Sequence, residues 1–258
     1  MAAGHGRVDV LGCPVDALGL QATVDRCLEL IQHADRPARQ VSVNAAKLVE
    51  SEKDERLRRF IHDSDIVSAD GQSVVWASRL LGQRLPERVP GIDLMHELLA
   101  AAADRGLSVY LLGAREEVLH RALSRIRDSY PELRVAGARD GYFEPEEEGE
   151  IANQIRQAGP DLLFVAMSSP LKERWLDRNL ERTGVRFAMG VGGAIDVVAG
   201  ERARAPRWMQ RMGLEWAFRL AQEPRRMLSR YAVGNAKFAW LLVRELLGRR
   251  RGAEASAR

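Results

Sequence analysis

Cysteine is nearly absent: Cys13 and Cys27 are the only two in 258 residues. Two cysteines cannot make a disulfide framework, so a reducing compartment is expected, and each thiol reads as a small buried hydrophobe. They lack C-x-x-C spacing and nearby histidines, which argues against a zinc site. The five histidines lie far apart and form no H-E-x-x-H pattern, so no metal is expected. No run approaches the ~20 apolar residues of a membrane span. The first residues, Met-Ala-Ala-Gly-His-Gly-Arg, carry no apolar stretch, so no signal peptide is expected. A G-x-S-x-G elbow and a G-x-G-x-x-G fingerprint are missing too, which weakens an acyl-transfer hydrolase and a dinucleotide oxidoreductase.

Apolar residues make up 46% and charged residues 29%, as in an ordinary soluble globular protein. Charge is unevenly placed. Residues 201–258 hold 14 Lys/Arg against 5 Asp/Glu, although the whole chain is only +3. A segregated basic end points to an anionic partner: phosphate, anionic lipid or nucleic acid.

Strand and helix patterns alternate for about 190 residues. Strands are predicted at 8–11, 40–44, 66–67, 108–113, 134–138, 161–167 and 185–189. Helices are predicted at 17–33, 45–62, 72–81, 94–104, 114–129, 145–157 and 170–182, with Asp93 as the cap of the fourth. This order predicts an α/β fold: a Rossmann-like, mostly parallel sheet with helices on both faces. Residues 1–200 form the expected catalytic body, 201–248 a basic amphipathic helical appendage and 249–258 a flexible tail.

In such sheets ligands bind at the carboxyl ends of the strands. Those ends carry Ser42 and Asn44, Asp70-Gly71, Gly113, Ser168-Ser169 and the turn Gly190-Val191-Gly192-Gly193. Asp70 suits a general base for a hydroxyl nucleophile, or a turn and cap residue. Ser42 and Asn44 share a strand face that could take sugar hydroxyls or phosphate, or bond a neighbouring loop. Arg88, beside Pro90 and Gly91, is placed for a bidentate diphosphate clamp or for solvent. Lys172 follows Ser168-Ser169-Pro170 into a helix, an arrangement for anion binding or for plain N-capping. Gly192 and Gly193 let a substrate approach the backbone, and Asp196 either faces the same cleft or serves its helix end.

The appendage interleaves Arg207, Arg211, Arg219, Arg226 and Arg244 with Trp208, Met212, Trp216, Leu220 and Trp240. That mixture fits helices lying in an anionic lipid interface, or C-terminal helices packed on the body with a solvated basic face. No nucleic-acid module supports RNA or DNA as the partner.

An ordered series of short pieces resembles the WecG/TagA/CpsF glycosyltransferases. They are Ser42-Val43-Asn44, Ala69-Asp70-Gly71, Arg88 to Asp93, Gly141-Tyr142-Phe143, Ser169-Pro170, Gly190 to Gly193 with Asp196, Arg204-Ala205-Pro206, Leu214-Glu215-Trp216, Arg219-Leu220 and Glu223-Pro224. The resemblance covers about residues 8–245. It implies metal-independent, cofactor-free, inverting transfer of a sugar from UDP to a polyprenyl-diphosphate-linked glycan in cell-envelope or exopolysaccharide synthesis. The sugar would be N-acetylmannosamine, its uronic acid or glucose. It makes Asp70 the expected catalytic base, and Ser42, Asn44, Lys172, Gly192, Gly193 and Asp196 the expected pocket. Arg88, Arg219 and Arg226 are the expected diphosphate contacts. It also implies an appendage that completes the site and docks on the inner face of the cell membrane; self-association is left open. Two departures stand out: Ser42 replaces a usual Thr, and Lys172 replaces a usual Gln. The rival classes are a non-catalytic nucleotide- or lipid-binding α/β protein and a dinucleotide-dependent oxidoreductase.

Overall fold

A computed structural model describes residues 6–222, 224 and 234–248. Its centre is a six-stranded sheet built from β3 (Ala38–Val43), β4 (Ile66–Ala69), β5 (Ser108–Gly113), β6 (Arg134–Arg139), β7 (Leu162–Ala166) and β8 (Phe187–Gly190). The strand order is β4-β3-β8-β7-β5-β6, and every neighbouring pair is parallel. The α/β expectation is therefore met, with a wholly parallel central sheet.

Strand side chains alternate between two cores, as a period of two requires. Val41, Val43, Val67, Leu112, Leu163, Val165 and Ala188 enter one core, together with α2 (Ala45–Ser51), α3 (Glu55–His62), α4 (Gln72–Leu80), α7 (Glu148–Ala158) and α8 (Leu171–Thr183). Ala38, Ile66, Leu111, Phe164 and Met189 enter the other, under α1 (Leu20–His33), α5 (Gly91–Arg105), α6 (Glu116–Ser129) and α9 (Ala194–Val198). Both faces of β7 are covered, which is why its sequence is an unbroken apolar run. Cys13 lies in the first core and Cys27 in the second, so the sheet separates the two thiols. Burial pushes both thiols up, away from the reactive thiolate.

Three local expectations need correction. The first strand is half of a hairpin, β1 (Arg7–Val10) and β2 (Cys13–Asp16), so helix α1 starts at Leu20 rather than 17. Leu11 and Gly12 both take positive φ in its two-residue turn, the conformation that matches strand twist. Asp16 accepts the backbone N–H of Val67 at 2.6 Å and pairs with Arg7 at 3.0 Å, which fixes the hairpin beside the edge strand β4. The helix expected over 45–62 is two helices, because Asp54 accepts the N–H groups of Arg56 and Leu57 and begins α3 afresh. Asp93 is not a cap: α5 begins at Gly91 behind Pro90, and Asp93 faces Arg204 at 2.6 Å.

After β8 come α9, α10 (Arg207–Arg211) and α11 (Glu215–Gln222), and a further helix, α12, covers 234–248. Phe238 and Leu241 of α12 are buried in the first core, and Arg244 pairs with Glu52 at 2.5 Å. Among the described residues no helix is long and apolar enough to cross a membrane.

Candidate active site

From β3 the chain steps outward to the edge strand β4, then crosses the sheet to β5. That reversal opens a crevice at the carboxyl ends of β3 and β8, flanked by β4 and β7, where α/β sheets take ligands. Asp70 leaves the end of β4. Its N–H donates to Val43 at 2.9 Å, and its Oδ1 accepts the N–H of Gly91 at 3.1 Å, at the start of α5. The carboxylate is thus held at the N-terminus of α5. The neighbouring N–H of Val89 donates to Ala69 at 2.7 Å, which keeps the Arg88–Gly91 loop beside Asp70. Gly91 packs against Ser42, whose Oγ lies 3.5 Å from the Cβ position, an ordinary van der Waals contact.

Ser42 is half-buried and accepts from Gln40 at 3.0 Å. Asn44 follows β3, and its Oδ1 caps α2 by accepting the N–H of Lys47 at 3.0 Å. Gly71 packs directly on Asn44, with 3.3 Å between its Cβ position and Asn44 Cβ. Ser42, Asn44 and Asp70 are therefore brought to one end of the sheet.

Across the crevice, α8 brings Lys172 under the turn after β8. A Cβ on Gly190 would fall 2.8 Å from Lys172 Cδ, and one on Gly192 would fall 3.7 Å from its Nζ. Gly190 accommodates the lysine stem. Gly192 takes φ +51, a left-handed turn that suits glycine. Gly193 caps α9, and Asp196 lies in the first turn of that helix, 3.7 Å from Arg202.

Beneath the turn lies a cluster that sequence reading missed. The buried Glu173 carboxylate receives Lys47 Nζ at 2.7 Å, Ser169 Oγ at 2.8 Å and Lys172 Nζ at 3.2 Å on one oxygen. Burial alone would raise the Glu173 pKa, but Lys47 and Lys172 outweigh it and hold it at about 2. Burial, reinforced by repulsion from Lys47, brings Lys172 down to about 8, against the pull of Glu173 and Asp70. The available signal was a lysine at 47, next to Leu48, Val49 and other core-facing positions of α2.

Arg88 is not free. Its guanidinium pairs with the Glu215 carboxylate and donates to the Gln210 carbonyl at 2.8 Å. Arg204 bridges Asp93 at 2.6 Å and Glu215 at 3.6 Å. Gly213, at φ +72, puts its Cβ position 2.6 Å from Gln72 Cγ, at the head of α4. Segment 204–215 is thereby fixed over the end of β4 that carries Asp70. Arg219 stands exposed on α11, and Arg226 lies outside the described residues. A hollow of about 310 Å³, lined by His96, Arg125, Tyr130 and Val198 among others, opens elsewhere and includes none of the strand-end residues. The placement of the site follows the chemistry at the strand ends rather than the size of that hollow.

The sequence pattern of the family described as "Glycosyl transferase WecG/TagA/CpsF family" matches residues 8–252. A protein of Bacillus subtilis (strain 168) named N-acetylglucosaminyldiphosphoundecaprenol N-acetyl-beta-D-mannosaminyltransferase is 36% identical over 180 residues, covering 69% of this chain and 70% of that protein. With Asp70, the glycine turn and the Arg88 loop gathered at one end of a parallel sheet, and a match over most of its length, the chain belongs to the WecG/TagA/CpsF family of glycosyltransferases.

Proposed function

We propose that the protein transfers an N-acetylmannosamine-type sugar from UDP to a polyprenyl-diphosphate-linked N-acetylglucosamine, by inverting displacement without a metal. The activity for which the Bacillus subtilis relative is named supports the sugar and the acceptor. The observation that carries the chemistry is the Asp70 carboxylate, anchored through Oδ1 by Gly91 N–H at the open end of the crevice.

Asp70 Oδ2 takes the proton of the acceptor hydroxyl. The hydroxyl oxygen attacks the anomeric carbon from the face opposite the nucleotide. The bond from that carbon to the diphosphate oxygen breaks, and UDP leaves with the electron pair. Cations and N–H donors set in place beforehand stabilise the departing charge without reorganisation. Lys172 serves from the body side; Arg88 serves from the loop, with Arg219 and Arg226 as further diphosphate contacts. Ser42, Asn44, Gly192, Gly193 and Asp196 shape the pocket.

The body 1–200 carries the crevice, and residues from 201 onward form the appendage that completes it. The appendage also meets an anionic membrane on the cytoplasmic side. Trp208, Met212 and Trp216 are exposed there beside exposed Arg207 and Arg211, and Trp240, Val243 and Leu247 are exposed on α12. Aromatic anchors with cationic neighbours suit a headgroup interface.

The test is UDP release with a panel of UDP-sugars in excess EDTA, with and without a short-chain polyprenyl-diphosphate-N-acetylglucosamine acceptor. Acceptor-dependent release from UDP-N-acetylmannosamine is expected. Release that needs added divalent metal contradicts the metal-free step, and release from a different UDP-sugar alone contradicts the donor.

A further inference from the structure

Two buried ammonium groups share one carboxylate beneath the glycine turn. Lys47 is 6% and Glu173 2% exposed, and the Lys172 side chain is 11% exposed. One ammonium against one carboxylate would balance; two leave a positive charge in excess, and buried charge is tolerated only when it is compensated. The three contacts to Glu173 Oε1 are unequal. Lys47 at 2.7 Å and Ser169 at 2.8 Å are short, and Lys172 at 3.2 Å is the longest. Lys47 is the internal partner, and Lys172 is the ammonium with capacity to spare.

The turn leaves room for it. The Lys172 stem fills the notch at Gly190, and its Nζ lies 3.7 Å from the Cβ position of Gly192, at the crevice. The other carboxylate acting on it is Asp70, across that crevice.

We propose that Lys172 receives an oxyanion of the nucleotide-sugar, a phosphate or a carboxylate oxygen, and that Lys47 and Glu173 are the positioning residues that hold it there. This rests on the nucleotide-sugar reading given above. The charged groups facing Lys172 are Lys47 from α2, Glu173 from α8 and Asp70 after β4. With Lys172 titrating at about 8, an oxyanion draws the group toward its charged form, and alkali removes the partner. The phosphates of UDP finish ionising near pH 6. Any loss of affinity above pH 8 that uridine does not share therefore belongs to the protein cation.

The experiment is calorimetric titration of the full chain with uridine, UDP, a UDP-N-acetylhexosamine and the corresponding UDP-hexosaminuronate, from pH 7 to pH 9. For the wild type, the dissociation constant of the anionic ligand should rise toward tenfold per pH unit above 8, while uridine stays level. Lys172→Gln, and Gly190→Ala, which forces the lysine stem aside, should bind more weakly at pH 7 and lose the slope. Weakening of UDP itself assigns the oxyanion to the diphosphate. Weakening confined to the uronate assigns it to the sugar carboxylate. A level wild-type profile for all four ligands overturns the proposal even if both variants fail to fold. So does a Lys172→Gln protein with wild-type affinity and slope. A wild type that binds uridine nucleotides with the predicted slope missing leaves the transferase reading standing; one that binds none of them overturns that reading and this subsite together.

Discussion

Two cationic sites flank Asp70, and they are built differently. Lys172 is held within the body at the crevice, paired with Glu173 and opposed by Lys47, with all three contributed by α2 and α8. Arg88 sits on a body loop, but its partners Glu215 and Gln210 come from the segment after residue 200. The first site forms whenever the sheet and its helices form. The second forms only when the C-terminal segment docks. On the proposed reading, in which Lys172 and Arg88 both meet the diphosphate, only half of that cationic pair is complete without the segment after residue 200.

The comparison can be broken most severely by ending the chain near residue 200. The sheet should survive, since its two cores are dominated by body residues, but with a lower melting temperature because Phe238 and Leu241 are lost from one of them. Turnover of a lipid-linked acceptor and binding to anionic vesicles should both be abolished; full activity on a lipid acceptor would contradict the account. Next in size is Glu173→Gln, which leaves Lys47 buried without its counter-charge and should cost roughly 3–5 kcal/mol in denaturant unfolding. The sign in acid follows from the lowered pKa. Glu173 contributes stability above its unfolded value of 4.5, and that contribution is lost as pH falls toward about 2. The gap between wild type and variant should therefore narrow below pH 4.5 and close only as pH approaches about 2. Smaller is Glu215→Gln, which removes one charge-assisted partner of Arg88 and should weaken docking of the segment by about 1.5–3 kcal/mol. Faster proteolysis between residues 200 and 215 reads this directly, while the stability of the body stays level.

The parallel sheet was legible because strands covered on both faces are apolar throughout and helices in the same chain keep a 3.6 period. The gathering of Ser42, Asn44, Asp70, Lys172 and the glycine turn followed from the rule that strand ends carry sites. The hairpin was hidden because its turn is Leu11-Gly12 rather than Asn-Gly, and because Pro14 reads as a strand breaker. The break between α2 and α3 turns on Asp54, a cap inside an otherwise continuous helical pattern. What no local pattern could show is pairing across the fold. Lys47 meets Glu173 from 126 positions away and Arg88 meets Glu215 from 127, so neither partner marks the other in sequence. Those two pairings decide what the cations can do.

The most direct measurement is steady-state turnover of Asp70→Asn with UDP-N-acetylmannosamine and the lipid-linked acceptor, alongside its melting temperature and UDP affinity. Asparagine keeps a carbonyl oxygen for the Gly91 N–H but cannot take a proton. The account predicts kcat lower by about 10²–10⁴ with folding and UDP binding intact. Near-wild-type turnover by the folded variant would contradict it.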